Sequence, residues 1–167
     1  MTKAIAHICV LVRDIDKAIK DYSKLFSIIS PGLLKKKVVK QNRYAGKDPY
    51  VTAFFAAPGG GCDFQLLEVT KDSPLYPRLE KFGEGIHHMA MSSNKLEDTY
   101  QTLTKNDIPV SDEIYRERKA GNDEVDVRHF WVLPKYSHGV PIELIDDYDV
   151  IDGLINKKVK AKRTKSR

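Results

Sequence analysis

The sequence predicts an α+β fold in which two βαβββ modules pair to form one curved-sheet cavity. Three observations predict it. A strand-then-helix unit occurs twice at a constant offset of 81 residues, and a strand–turn–strand pair completes each copy. Polar side chains also recur at matched positions inside otherwise apolar strands. Neither unit buries both faces of its sheet alone, so pairing around a shared cavity follows.

Residues 4–12, Ala-Ile-Ala-His-Ile-Cys-Val-Leu-Val, read as the first strand. Asp14 is a helix N-cap, and Ile15, Ile19, Tyr22 and Phe26 recur on the spacing of one helix face. Residues 35–42 are read as a lysine-rich edge strand. Val51–Ala57 and Cys62–Val69 are strands joined by the Pro58–Gly61 turn. Residues 73–92 form the seam, in which a short amphipathic segment, Leu75 to Phe82, runs into Gly83-Glu-Gly85 and then a strand over 85–93. A helix carrying Leu96, Tyr100 and Leu103 ends before Pro109. A strand over about 110–116 and the pair Val127–Leu133 and Val140–Ile145 complete the second copy. The offset superimposes His7 on His88, Ile15 on Leu96 and Ile19 on Tyr100; Phe64-Gln65-Leu66-Leu67 then matches Ile142-Glu143-Leu144-Ile145, with the His-to-polar spacing 58 residues in one copy and 55 in the other.

The 167 residues suit one domain, and 41% hydrophobic with 31% charged residues suits a soluble protein without a membrane-spanning run. Two cysteines, Cys9 and Cys62, exclude a disulfide framework, and the first residues carry no leader pattern, so a cytoplasmic setting is expected. The net charge of +5 is a property of one end, since seven of 28 basic residues lie in the last eleven positions. The rest of the chain is mildly acidic, which argues against a nucleic-acid partner.

Strand side chains alternate, so His7 and Cys9 share a face, as do His88 and Ala90, while His87 falls on the opposite face and is read as structural or supporting. Gln65 and Glu143 each sit among apolar residues, where an unpaired amide or carboxylate is costly. A divalent metal satisfies all four groups at once: His7, Gln65, His88 and Glu143.

Several stretches carry a resemblance: Ala6-His-Ile-Cys-Val-Leu-Val12, Phe64-Gln-Leu-Leu-Glu68, Asp72-Ser-Pro74, Gly83-Glu-Gly-Ile-His-His-Met-Ala90 and Leu133-Pro-Lys-Tyr-Ser-His-Gly-Val-Pro-Ile-Glu-Leu144. On these the chain resembles the vicinal oxygen chelate (glyoxalase/bleomycin resistance/dioxygenase) superfamily, and within it the methylmalonyl-CoA epimerases. The resemblance implies a single glyoxalase-like domain over 1–150, with module 1 at about 1–70, a linker helix over 71–84 and module 2 at about 85–147. Residues 151–167 are then a basic tail. It implies His7, Gln65, His88 and Glu143 as ligands to one divalent ion (cobalt, manganese, nickel, zinc or magnesium) and a homodimer.

The implied activity is a metal-dependent proton-transfer isomerisation of methylmalonyl-CoA or a related acyl-CoA through a metal-stabilised enolate. Epimerisation needs an acid/base group on each face. Glu143 is assigned to one face and Asp48, the single acid between Asp21 and Asp63, to the other; the competing reading of Asp48 is a turn residue in Gly46-Lys-Asp-Pro49. Lys35, Lys36, Lys37, Lys40, Arg43 and Lys47 offer a basic flank for coenzyme A phosphates, or else a solvated strand edge. The alternatives are a glyoxalase I-type lactoylglutathione lyase and a non-catalytic small-molecule binder of the same fold. Residues 116–128 are long for a compact turn, Phe130, Trp131 and Leu133 reshape the pocket, and Pro141 enters the strand of Glu143, suggesting an edge or bulge.

Overall fold

The computed structural model describes residues 3–121 and 127–157. The first repeat comprises β1 (His7–Val12), α1 (Ile15–Ile29), β2 (Gln41–Ala45), β3 (Asp48–Phe55) and β4 (Asp63–Val69). A short helix, α2 (Tyr76–Phe82), leads to the second: β5 (Gly85–Ser93), α3 (Leu96–Lys105), β6 (Tyr115–Lys119), β7 (Val127–Val132) and β8 (Ile142–Asp146). A hairpin of β9 (Tyr148–Ile151) and β10 (Leu154–Lys157) follows. Both βαβββ modules are therefore present, in an α+β fold.

The eight strands of the modules run in the order β1-β4-β3-β2-β6-β7-β8-β5 and close into a barrel. Pairing is pseudo-symmetric. β1 runs parallel to β4 with Cys9 opposite Gln65, and β5 runs parallel to β8 with Ala90 opposite Glu143. At the seam β1 and β5 are antiparallel, with His7 opposite Ala90 and Cys9 opposite His88. The offset of 81 read from the sequence is this two-fold relation. An eight-stranded barrel leaves an interior that side chains nearly fill, or that holds one small ligand.

Asp14 caps α1 by accepting a hydrogen bond from the Lys17 amide at 2.9 Å. Ile15, Ala18 and Phe26 of α1 pack on Val10, Val12, Ala53, Phe55 and Leu66, on the outer faces of β1, β3 and β4. Burial of each large apolar side chain contributes about 1.5–3 kcal/mol. On α3, Leu96 is buried and the Tyr100 ring packs edge-on against Phe130 at 5.0 Å. Among the described residues, no helix is long and apolar enough to cross a membrane.

The structure departs from the sequence reading in four places. The second strands of the modules lie later than 35–42 and 110–116, at Gln41–Ala45 and Tyr115–Lys119, and they pair with each other. β2 is thus an interior strand, not a lysine-blunted edge. Pro141 precedes β8 rather than entering it, and β8 lies between β5 and β7.

Residues 151–157, read as the start of a tail, belong to the hairpin. Its turn residues Asp152 and Gly153 have φ of 51° and 79°, the pattern of a two-residue type I′ turn. A Cβ on Gly153 would meet the Lys37 carbonyl at 2.6 Å, so only glycine seats the turn there. Tyr148, Val150 and Ile155 join Ala6, Phe54, Ala90, Val127 and Ile145 in one buried cluster. The rest of the basic segment, 158–167, and part of the long 116–128 segment lie outside the described residues.

Candidate metal and proton-transfer site

β1, β4, β5 and β8 carry the four residues that the repeat singles out. His7 Nε2, His88 Nε2 and Glu143 Oε2 converge, with 3.1 Å between the imidazole nitrogens and 3.1 and 3.4 Å from them to the carboxylate oxygen. All three side chains are buried. Gln65 lines the same cavity as His88 and Glu143. Its amide donates to Thr52 Oγ1 at 3.0 Å, and the Thr52 hydroxyl donates to the Leu66 carbonyl at 2.8 Å. That chain fixes the amide so that Gln65 Oε1 is the free end, buried without a hydrogen-bond partner.

Glu143 Oε2 is likewise buried without a well-aligned hydrogen bond, despite its two imidazole neighbours. Two imidazole nitrogens, an amide oxygen and a carboxylate oxygen suit a first-row divalent cation, and the two orphaned oxygens are acceptors that such an ion would satisfy. The residues present therefore fit the ion.

The cavity above these groups has a volume of about 550 Å³. Its walls are largely apolar, with Leu67, Val69, Leu75, Trp131 and Leu133 among them. Asp48, the first residue of β3, also lines it. Asp48 Oδ2 accepts from the Ser73 hydroxyl at 3.1 Å, while Oδ1 is buried and has no hydrogen-bond partner. Burial raises the Asp48 carboxyl pKa despite the Ser73 hydrogen bond.

His87 does not follow strand parity. Between β1 and β5 the register passes from Cys9 opposite His88 to Val10 opposite Ile86, leaving His87 as the extra residue of a bulge. His87 and His88 consequently both line the cavity, and their Nδ1 atoms are 2.7 Å apart. Burial first, then the neighbouring His88, hold His87 down to about 3, so it stays neutral. Burial also lowers His88, against the pull of Glu143. Trp131 meets all three cavity imidazoles edge-on, with centroids 5.9, 4.9 and 5.4 Å from His87, His88 and His129.

A second polar group was not anticipated from the sequence. Glu117 on β6 and His129 on β7 lie beside Glu143 on the same inner face of the barrel, with His129 Nδ1 3.0 Å from Glu117 Oε1 and 3.7 Å from Glu143 Oε1. Glu117 Oε2 accepts from the Tyr50 hydroxyl at 2.6 Å and lies 3.3 Å from Arg43 Nη2. Burial alone would lower His129, but the close Glu117 carboxylate and the Glu143 charge hold it up. Burial alone would raise Glu143, but His129, His7 and His88 hold it well below the usual carboxylate range. The same contest, won by His129 and Arg43, lowers Glu117.

Arg43, read as part of a phosphate-binding flank, is only 1% exposed and belongs to this inward-facing network. Lys36 and Lys40 are engaged with the Val150 carbonyl and the Asp16 carboxylate. The available signal was alternation: Val127, His129 and Trp131 share the face that carries Glu143 on the neighbouring strand.

The description "Glyoxalase/Bleomycin resistance protein/Dioxygenase superfamily" belongs to a family model that matches residues 6–125. The chain belongs to this superfamily. Solved structures similar to this member include methylmalonyl-CoA epimerase from Mycobacterium tuberculosis, with a TM-score of 0.66 at 21% identity, covering 86% of this chain and 87% of that one. A Streptomyces coelicolor methylmalonyl-CoA epimerase variant in complex with 2-nitronate-propionyl-CoA has a TM-score of 0.64 at 23% identity, covering 88% and 99%. At these identities the likeness establishes the fold. The uncharacterized protein YqjC of Bacillus subtilis (strain 168) is 33% identical over 95 residues, which are 56% of this chain. The match spans 63% of that relative's length.

Proposed function

We propose that this superfamily member is a divalent-metal-dependent proton-transfer isomerase acting on an acyl-CoA thioester of the methylmalonyl type. One observation carries the reading: ligand atoms of His7, His88 and Glu143 cluster within 4.8 Å of one another, and His88, Glu143 and Gln65, whose Oε1 is orphaned, line a cavity together with Asp48, whose Oδ1 has no hydrogen-bond partner. Solved relatives in the superfamily that bind acyl-CoA compounds support the substrate class.

His7, Gln65, His88 and Glu143 are the residues assigned to hold the ion, which when bound supplies Lewis-acid polarisation of a carbonyl oxygen. The chain's own groups do the rest. Leu67, Val69, Trp131 and Leu133 keep water from the reacting carbon. Asp48 Oδ1 takes the proton on the α-carbon from one face. Glu143 keeps its Oε1 toward His129 and is the acid/base group assigned to the other face. Ser73 holds the other oxygen of Asp48 and so fixes the direction of Oδ1.

The test is α-proton exchange of methylmalonyl-CoA in deuterium oxide with cobalt-loaded protein. Wash-in of one deuterium at the α-carbon supports the isomerase. Absence of exchange, with turnover of the glutathione–methylglyoxal hemithioacetal, would assign the lyase reaction instead.

A further inference from the structure

Tyr148 stands outside both repeats, on the first strand of the C-terminal hairpin, yet its hydroxyl lies 2.9 Å from His7 Nδ1. The same hydroxyl donates to the Ala6 carbonyl at 3.2 Å. A tyrosine has one proton and a carbonyl has none, so only one arrangement uses both contacts. The tyrosine proton goes to Ala6, and the hydroxyl oxygen accepts from His7 Nδ1–H. With its proton on Nδ1, His7 presents a bare Nε2 to Glu143 and His88.

We propose that Tyr148 is a positioning residue for the metal site, fixing the tautomer and ring direction of His7, so that the C-terminal hairpin is a working part of that site. This rests on the reading of His7 as a ligand. A ligating imidazole ordinarily donates its other N–H to an outer partner that fixes its orientation. The hairpin is held for this task at three points besides the tyrosine. Gln41 donates to the Gly153 carbonyl at 2.9 Å, Lys36 to the Val150 carbonyl at 2.8 Å, and Lys157 pairs with Asp146 at 2.9 Å. Tyr148 itself is 1% exposed, with its ring 5.9 Å from those of both His7 and Phe54. The second imidazole uses a different device, the bulged His87, so the two ligands are separable by mutation.

The experiment is cobalt(II) titration, read by visible absorption, of the wild-type chain, Tyr148→Phe and Ile155→Val. Tyr148→Phe keeps the ring and removes the acceptor, and it is expected to weaken cobalt binding by about 10–100-fold. Ile155→Val thins the hairpin's packing without touching the hydroxyl and is expected to bind cobalt as the wild type does. Long-range proton–nitrogen NMR of the metal-free protein is expected to find the His7 proton on Nδ1, and a mixture of tautomers in Tyr148→Phe. Equal cobalt affinity in wild type and Tyr148→Phe would overturn the assignment, as would an equal loss in Ile155→Val, which marks a packing effect. A wild-type chain that binds no cobalt would instead overturn the metal reading, and this inference with it.

Discussion

Replacing Arg43 by Met tests the inward-facing charge network most sharply. Arg43 sits on an interior strand at 1% exposure, and its neighbours include Glu117 Oε2 at 3.3 Å and the Tyr50 hydroxyl at 3.3 Å. Removing one partner of a buried pair ordinarily costs about 3–5 kcal/mol, because the other charge stays behind. Glu117 keeps the Tyr50 hydroxyl at 2.6 Å and His129 at 3.0 Å, which places the loss at the low end. Roughly 3 kcal/mol, at about 2–4 °C per kcal/mol for a domain of this size, lowers Tm by about 6–12 °C. Adding Glu117→Gln removes the stranded charge, so the double variant regains part of the loss, with a coupling energy of about 1–3 kcal/mol. The assay is urea unfolding followed by circular dichroism, with chelator present in every sample so that metal does not enter. A single variant within about 1 kcal/mol of wild type, or a coupling energy of zero, would refute the account of Arg43 as the counter-charge of Glu117.

Three further outcomes are expected. Asp48→Asn retains an acceptor for Ser73 but no base, so α-proton exchange falls by about 10²–10⁴-fold at unchanged metal content; a rate near wild type removes Asp48 from the mechanism. Asp146, held by Arg128 at 2.8 and 2.9 Å and by Lys157 at 2.9 Å, has its pKa lowered because these cations outweigh burial. Its contribution is present above its unfolded pKa of about 3.9 and is lost as pH falls through the folded value. Asp146→Asn therefore destabilises at pH 7 but loses its effect in acid, and a stability difference that grows on acidification contradicts the pairing. Gly153→Ala combines a positive φ with a contact to the Lys37 carbonyl, and costs about 1–3 kcal/mol in thermal unfolding; an unchanged Tm would show that the turn is not seated there.

The repeat was legible because both copies keep the same apolar helix positions and the same polar residue in an apolar strand. Strand alternation then turned the sequence into faces. It failed at His87 because a bulge inserts a residue, and parity carries no information across an insertion. It also failed at β2 and β6, whose inward residues, Gln41, Arg43 and Glu117, are polar. Such residues read as solvated until their partners on other strands are known, and those partners are distant in sequence. The hairpin was hidden differently. Asp152-Gly153 is a strong turn signal, but the basic run that follows drew the whole segment into a tail.

The central claim is that His7, Gln65, His88 and Glu143 hold one divalent ion, and elemental analysis tests it most directly. The measurement is bound metal per chain after cobalt loading and desalting, for wild type, Gln65→Ala and Glu143→Ala. The account predicts close to one ion per wild-type chain, with retention reduced in Gln65→Ala and lost in Glu143→Ala. Metal content unaltered in both variants would contradict it.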